Sequence, residues 1–530
     1  MDIKRTILWI IFSFSILVIW NNWQLENEKN HKIFSVENKI NETNNQVPAF
    51  SSIDKKDYAK DHINGHKEEL TVIENNVLKL TFSSLGAKIV KAELLDYPDK
   101  NKKPTVLINS DDKFSYIIQS GLIGESVLPN HQSDFKLVEI KQDNDKSEVE
   151  FLSEKNGIML FKKFILENGK YNIKVQHKIT NKSNEILNTG LYLQIIRDSS
   201  DPSDSSSFYK TFTGMAVFSE KNKFEKISFQ DVSKNKAKYT KTTDNGWIAM
   251  VQHYFATAWI PQENCIRKNE VVELNKNKKI FAIRTIESIN KVKPNESYAS
   301  NSYLWIGPQD QKKMASVAKG LDLVVDYGIF TIIAKPIFLL MNYIFDFVKN
   351  WGWSIVILTF IIKLLFFPLA SKSYRSMAKL KNVAPRIQAL RKQFSNDNIK
   401  FNAAVMEIYR NEKINPLGGC LPIIVQIPVF LSLYWVLLSS VEMRGAPWIL
   451  WIQDLSAKDP YFILPILMML TMFIQMKLNP APPDPIQAKI MMIMPLIFGG
   501  MMFFFPSGLV LYWCVNNILS IAQQWFIIRK

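Results

Sequence analysis

The sequence predicts a polytopic α-helical membrane protein with six transmembrane helices and one large β-sandwich outside the membrane. Three observations carry this reading. An apolar run long enough to span a bilayer, Thr6–Trp23, opens the chain. Short strands of alternating polarity then run from Glu69 to about Asn301, punctuated by Asn/Asp/Gly/Lys turns. Five further apolar runs fill the last third.

Residues 1–24 read as an N-terminal signal anchor. The run follows Lys4 and Arg5, ends in the interfacial anchors Trp20 and Trp23, and is followed by no small-residue cleavage site. Residues 25–68 are rich in Asn, Lys, Glu and Ser without periodicity and read as a flexible linker. Residues 69–320 form the β-domain, with Val77–Phe82, Glu148–Leu152 and Tyr171–Gln176 as typical strands. Residues 321–349 mix apolar side chains with Asp322, Asp326, Lys335, Asp346 and Lys349, and Pro336 interrupts them. That pattern suits an amphipathic helix lying in the interface better than a span.

Residues 350–530 carry the other five spans: Gly352–Ala370, Gly419–Ser440, Tyr461–Met476, Ile490–Phe505 and Gly508–Ile528. Several are short for a hydrocarbon core of about 30 Å. The loop 371–417 holds ten Lys/Arg against three Asp/Glu, which places it in the cytoplasm. Both termini then fall on the cytoplasmic side and the β-domain on the far side. Within that loop Met377, Leu380, Ala384, Ile387 and Phe394 recur at helical spacing. Phe401, Val405 and Ile408 do so after Ser395–Asn398, which predicts a helical hairpin with basic outer faces. Such a hairpin suits anionic headgroups, or a nascent chain or ribosome.

Composition excludes much. Cys265, Cys420 and Cys514 are far apart and form no CxxC pair, so neither a metal site nor a disulfide framework is indicated. The formal charge of +16 belongs to a basic loop and a Lys-rich polar domain, and no nucleic-acid-binding module accompanies it. The five C-terminal spans contain no Asp, Glu or His, which argues against ion-coupled transport. There is no Walker loop and no Ser-His-Asp set in the membrane half, so no enzyme activity and no cofactor is expected. Nine of the 18 methionines lie between Met468 and Met502. They serve either as lipid-facing bulk or as an adaptable surface for varied apolar segments.

Lys363 is the one formal charge inside the run Trp353–Ala370. An ammonium at bilayer depth is expensive. It either snorkels to the inner headgroups or lines a hydrated pocket. Thr359, Gln426, Asn516, Asn517, Gln523 and Gln524 lie at comparable depth and favour the pocket, although each alone also suits interhelical bonding.

Asn415-Pro-Leu-Gly-Gly-Cys420, Pro422–Phe430 and Phe505-Pro-Ser-Gly-Leu-Val-Leu-Tyr512 together resemble the YidC membrane-protein insertase family in its Gram-negative form. Gly246-Trp-Ile-Ala-Met, Tyr254–Pro261 and Leu321–Gly328 extend the resemblance over nearly the whole chain. It implies a periplasmic β-sandwich, an interfacial helix and a five-helix insertase core in the bacterial inner membrane. It also implies a hydrophilic groove open to cytoplasm and lipid, built here from Lys363, Thr359, Gln426, Asn516, Asn517, Tyr512 and Trp513. Nascent membrane proteins, the Sec translocon and the ribosome are the implied partners. The family's groove cation is an arginine, so a lysine at 363 keeps charge and loses the planar fork. The chain ends at Lys530 without a long basic tail, so ribosome contact through such a tail is not expected. Two other classes stay in view: a small-molecule transporter, and a glycan-binding protein built on the sandwich.

Overall fold

The computed structural model describes residues 68–99, 101–110, 115–200, 211–394, 397–412, 421–479 and 485–529. The anchor Thr6–Trp23, the linker up to Lys67 and the Asn415–Cys420 motif lie outside them.

Two nine-stranded sheets make the β-domain. The first runs, in spatial order, Leu70–Glu74, Leu78–Ser83, Lys88–Pro98, Tyr116–Ile123, Leu187–Asp198, Ile280–Val292, Arg267–Asn275 and Thr242–Thr243. Pro104–Asn109 is added on the third strand. The second runs Lys223–Ile227, Gly214–Ser219, Trp247–Gln252, Phe255–Pro261, Ser297–Pro308, Asn172–Asn181, Ile158–Glu167, Lys146–Lys155 and Lys136–Gln142. Period-2 alternation sends one set of side chains inward. Along Ile158–Glu167 that set is Ile158, Leu160, Lys162, Phe164 and Leu166. Phe82 of the first sheet meets Phe151 and Phe164 of the second at 5.6 and 4.7 Å between ring centroids. Gly246 has a φ of +84°, and a Cβ there would stand 1.9 Å from the Phe218 carbonyl oxygen, so the turn before Trp247 requires glycine.

Ten α-helices are described: α1 (Phe229–Ser233), α2 (Gln311–Val317), α3 (Thr331–Val348), α4 (Trp351–Leu365), α5 (Phe367–Gln393), α6 (Asn398–Asn411), α7 (Leu421–Ser439), α8 (Ile463–Leu478), α9 (Pro485–Met502) and α10 (Ser507–Arg529). Residues 321–330, which the sequence reading joins to the helix that follows, form two 3-10 turns before α3 begins. Lys349 in the left-handed region ends α3, and the Asn350 side chain accepts from the Trp353 N–H to start α4. The apolar run through Ala370 is not one straight helix. It breaks between α4 and α5 by 68°, at Phe366, two residues before Pro368.

A second hydrophobic core gathers α3, α4, α7, α8 and α10, with Phe338, Ile355, Leu433, Met468 and Tyr512 fully or nearly fully buried. Val383 and Ile387 of α5 pack against Phe401, Val405 and Ile408 of α6, so the two helices close into a hairpin along the faces the periodicity marks. By length and composition Gly328–Val348 can cross a membrane (21 residues, mean hydropathy 1.7), and the bent α4–α5 pair is a second such element. Ile463–Leu478 is apolar but shorter.

Candidate functional site

Lys363 sits in the last turn of α4, where a cation is favoured by the carbonyl end of the helix. The bend at Phe366 swings α5 aside and leaves a cleft beside it. Lys363, Tyr374, Gln426 and Gln523 supply its polar lining; Ile362, Phe366, Leu369, Ala370 and Val429 supply the apolar remainder. The cleft is therefore an apolar trough with a cation and two amides on its walls.

The polar groups are chained together. The Lys363 ammonium donates to Ser520 Oγ at 2.7 Å, and that hydroxyl donates to the Asn516 carbonyl at 2.7 Å. Gln426 Nε2 donates to Asn516 Oδ1 at 2.5 Å, and Gln523 Nε2 reaches the Lys363 carbonyl at 3.3 Å. Tyr374 lies beside Ser520, and Tyr512 lies beside Gln426. Among the described residues no carboxylate pairs with Lys363. Among the described residues the ammonium's three donors meet one neutral partner, which leaves capacity directed at whatever enters the cleft.

The seven residues expected at the groove fall into two sets. Lys363, Gln426 and Asn516 belong to this chain of bonds, and Tyr512 lies beside Gln426. The other three face elsewhere. Thr359 is buried and donates back to the Ile355 carbonyl of its own helix at 2.6 Å. Asn517 turns to α8, where Thr471 Oγ1 accepts at 3.3 Å. Trp513 lies among Phe430 and Phe498, at 4.7 and 5.4 Å between ring centroids. The sequence reading passed over Ser520, which links Lys363 to Asn516, and Tyr374, which lines the cleft. The signal for Ser520 was its place four residues after Asn516, on the same stripe of α10.

A second ionisable cluster lies inside the β-sandwich. Lys162 is fully buried and donates to the Gly86 and Ser120 carbonyls, each at 2.7 Å, with its ammonium 4.5 Å from the Phe135 ring centre. Burial holds it well below the ordinary lysine range. His177 Nε2 meets Ser120 Oγ at 2.8 Å, and burial pushes the imidazole down to about 3. These groups tie the two sheets together. Among the described residues no cluster of His, Cys, Asp or Glu could hold a metal ion.

The chain matches two family models: the 60Kd inner membrane protein over residues 343–530, and the YidC periplasmic domain over residues 70–340. The membrane protein insertase YidC of Bordetella petrii is 54% identical over 100% of this chain and 98% of its own length. That of Cupriavidus metallidurans is 44% identical over the same shares. An active YidC insertase crystal structure with the first transmembrane domain resolved covers 86% of this chain and 92% of its own at 16% identity, with a TM-score of 0.40.

Proposed function

The chain belongs to the YidC family of membrane-protein insertases, and we propose that it inserts its substrates through the cleft beside Lys363. It acts on nascent membrane proteins in the inner membrane and carries its β-sandwich as a periplasmic domain. In the mechanism inferred here, the short polar segment of a substrate enters the cleft from the cytoplasm. The Lys363 ammonium attracts its acidic or polar groups, and Gln426 and Gln523 replace part of their lost hydration. The apolar segment leaves sideways along α7 and α9 into lipid. Burial of apolar surface drives that last step, so no nucleotide is needed by the core itself.

The six-span arrangement belongs to the same reading. Thr6–Trp23, α4 with the start of α5, α7, α8, α9 and α10 cross, with both termini and the α5–α6 hairpin in the cytoplasm. The helix α3 lies flat instead, despite its length. Lys335 near its start pairs with Asp322 at 3.0 Å, and Asp346 near its end pairs with Lys312 of the domain exit at 3.3 Å. A spanning helix would carry Asp346 on the order of 16 Å across the bilayer from Lys335, away from the domain. Ile332, Leu339, Tyr343 and Phe347 line its exposed stripe and suit the lipid interface. The 16-residue α8 would thin the bilayer and shorten the crossing. The hairpin is the proposed ribosome contact, and the Sec translocon a partner for larger substrates.

The observation that carries the proposal is the position of Lys363: one neutral hydroxyl partner, no carboxylate among the described residues, and a cleft in front of it. Lys363→Arg is expected to insert small Sec-independent substrates normally, while Lys363→Ala and Lys363→Glu impair them. Normal insertion by the Glu variant at equal expression would overturn attraction by charge.

A further inference from the structure

The turn that follows α7 joins the two hydrophobic cores of the molecule. Val441 is buried within the β-sandwich core, and Met443, two residues on, is buried within the helical core. Three more contacts hold that end of α7 to the periplasmic domain. The His253 ring Nε2 donates to the Leu438 carbonyl at 2.9 Å, one of the carbonyls a helix end leaves without an intrahelical partner. Arg444 donates to the Pro98 carbonyl at 3.2 Å and to Thr105 Oγ1 at 3.1 Å, with its guanidinium 5.1 Å from the Phe255 ring centre. Ser439 Oγ donates to the Asp326 carbonyl at 3.1 Å, and the Asp326 carboxylate pairs with Lys226 at 2.5 Å. The helix that bears Gln426 and Val429 on the cleft wall is thus gripped at its outer end.

Glu442 lies between Val441 and Met443, and its Oε2 is buried with no hydrogen-bond partner. The charged and titratable groups facing it are Asp310, Lys312 and Lys313 at the start of α2, Tyr327 before α3, Tyr97 of the Lys88–Pro98 strand, and Arg444 of its own turn. None of the two lysines or the arginine reaches its carboxylate as an ion pair among the described residues. Burial dominates and pushes the carboxyl up to about 7.

We propose that Glu442 is a positioning residue that sets how firmly the periplasmic domain holds the outer end of α7. The grip is tight when the carboxyl is protonated and loosens when it ionises, so acidity on the periplasmic side adjusts the cleft wall. This rests on α7 being a wall of the insertion cleft. Released into water, Glu442 regains the ordinary value of 4.5, so the held state favours the acid form. The grip is therefore firmest below that value, weakens as pH rises toward about 7, and changes no further above it.

The test uses the full chain in proteoliposomes with the periplasmic domain in the lumen. Hydrogen exchange of residues 436–446, corrected for intrinsic rates, is read at lumenal pH 5.5 and 8, alongside insertion of a small Sec-independent substrate. The wild type is expected to show roughly tenfold more protection of the turn at the lower pH, with an insertion rate that follows lumenal pH. Glu442→Gln is expected to be equally protected at both values with a flat insertion profile, and Glu442→Asp to restore the dependence. A pH dependence unchanged by Glu442→Gln, or turn protection in the wild type that ignores pH, overturns the proposal. So does insertion that ignores lumenal pH while the turn responds. Lys363→Ala separates the two readings: if it inserts normally the cleft reading fails, while the exchange data still judge the grip.

Discussion

Lys162 is fully buried between two β-sheets, and Lys363 is half-buried at the end of a helix in an apolar bundle. Their surroundings differ in what they leave free. Lys162 spends its donors on two backbone carbonyls and an aromatic face, all fixed by the sandwich. Lys363 has one serine hydroxyl and an open trough. An ammonium whose donors are all used is a tie between layers; one with donors to spare is a binding group. Burial ranks the two, and hydrogen-bond accounting says what each can do.

That contrast fails first, and most visibly, if Lys162 is not a tie. Lys162→Ala leaves a cavity and two buried carbonyls without donors, a loss of about 3 kcal/mol. The midpoint of thermal unfolding of the periplasmic domain should fall by several degrees, followed in the full chain by tryptophan fluorescence. An unchanged midpoint would show that the sandwich closes equally well without the ammonium.

The same cluster predicts an acid limb. His177 is neutral in the fold, with its value pushed down to about 3, whereas an unfolded histidine titrates near 6.5. The unfolded chain therefore takes up a proton first. Stability is complete above 6.5 and is lost as pH falls toward 3, by about 1.4 kcal/mol per pH unit. His177→Gln should flatten that limb in pH-dependent unfolding. If both proteins lose stability in parallel between pH 6 and 4, another group sets the acid response.

Lys363 should answer the opposite way to its counterpart. Lys363→Met removes one hydrogen bond to a serine and one costly charge, so the unfolding midpoint of the helical core stays within about 0.5 kcal/mol of wild type. Insertion of a small substrate should nevertheless fall about tenfold, on the order of 1.4 kcal/mol in the rate-limiting barrier. Stability and insertion dropping together would make Lys363 a structural residue like Lys162.

The sandwich was legible because alternation marks the inward face of each strand, and the same alternation puts Lys162 inward among Ile158, Leu160, Phe164 and Leu166. The pair Lys162-Lys163 hides it: Lys163 points out and meets Glu148 at 2.7 Å, so the two read together as an ordinary charged stretch. Lys363, Gln426 and Asn516 were legible as polar groups at depth in apolar runs. The break at Phe366 was less so, because Pro368 could equally start a helix or kink one, and tertiary packing makes the choice. Thr359 shows a further limit: a hydroxyl in an apolar helix can satisfy itself on the preceding turn, and sequence does not say which it does.

Asn516 and Asn517, like Gln523 and Gln524, look interchangeable in the sequence, yet neighbours on a helix point roughly 100° apart. Asn516 and Gln523 face the cleft network, while Asn517 bonds Thr471 and Gln524 bonds Gln475 at 2.8 Å, both on α8. The second pair is glue between helices, worth about 0.6 kcal/mol per bond inside a membrane protein. Asn517→Ala should therefore lower the stability of the helical core by that small amount and leave insertion rates untouched. Gln426→Ala, on the cleft side, should slow insertion with little change in stability. Loss of insertion in Asn517→Ala at unchanged stability would move that residue to the cleft side. The dividing line along α10 would then have to be drawn by chemistry rather than by direction.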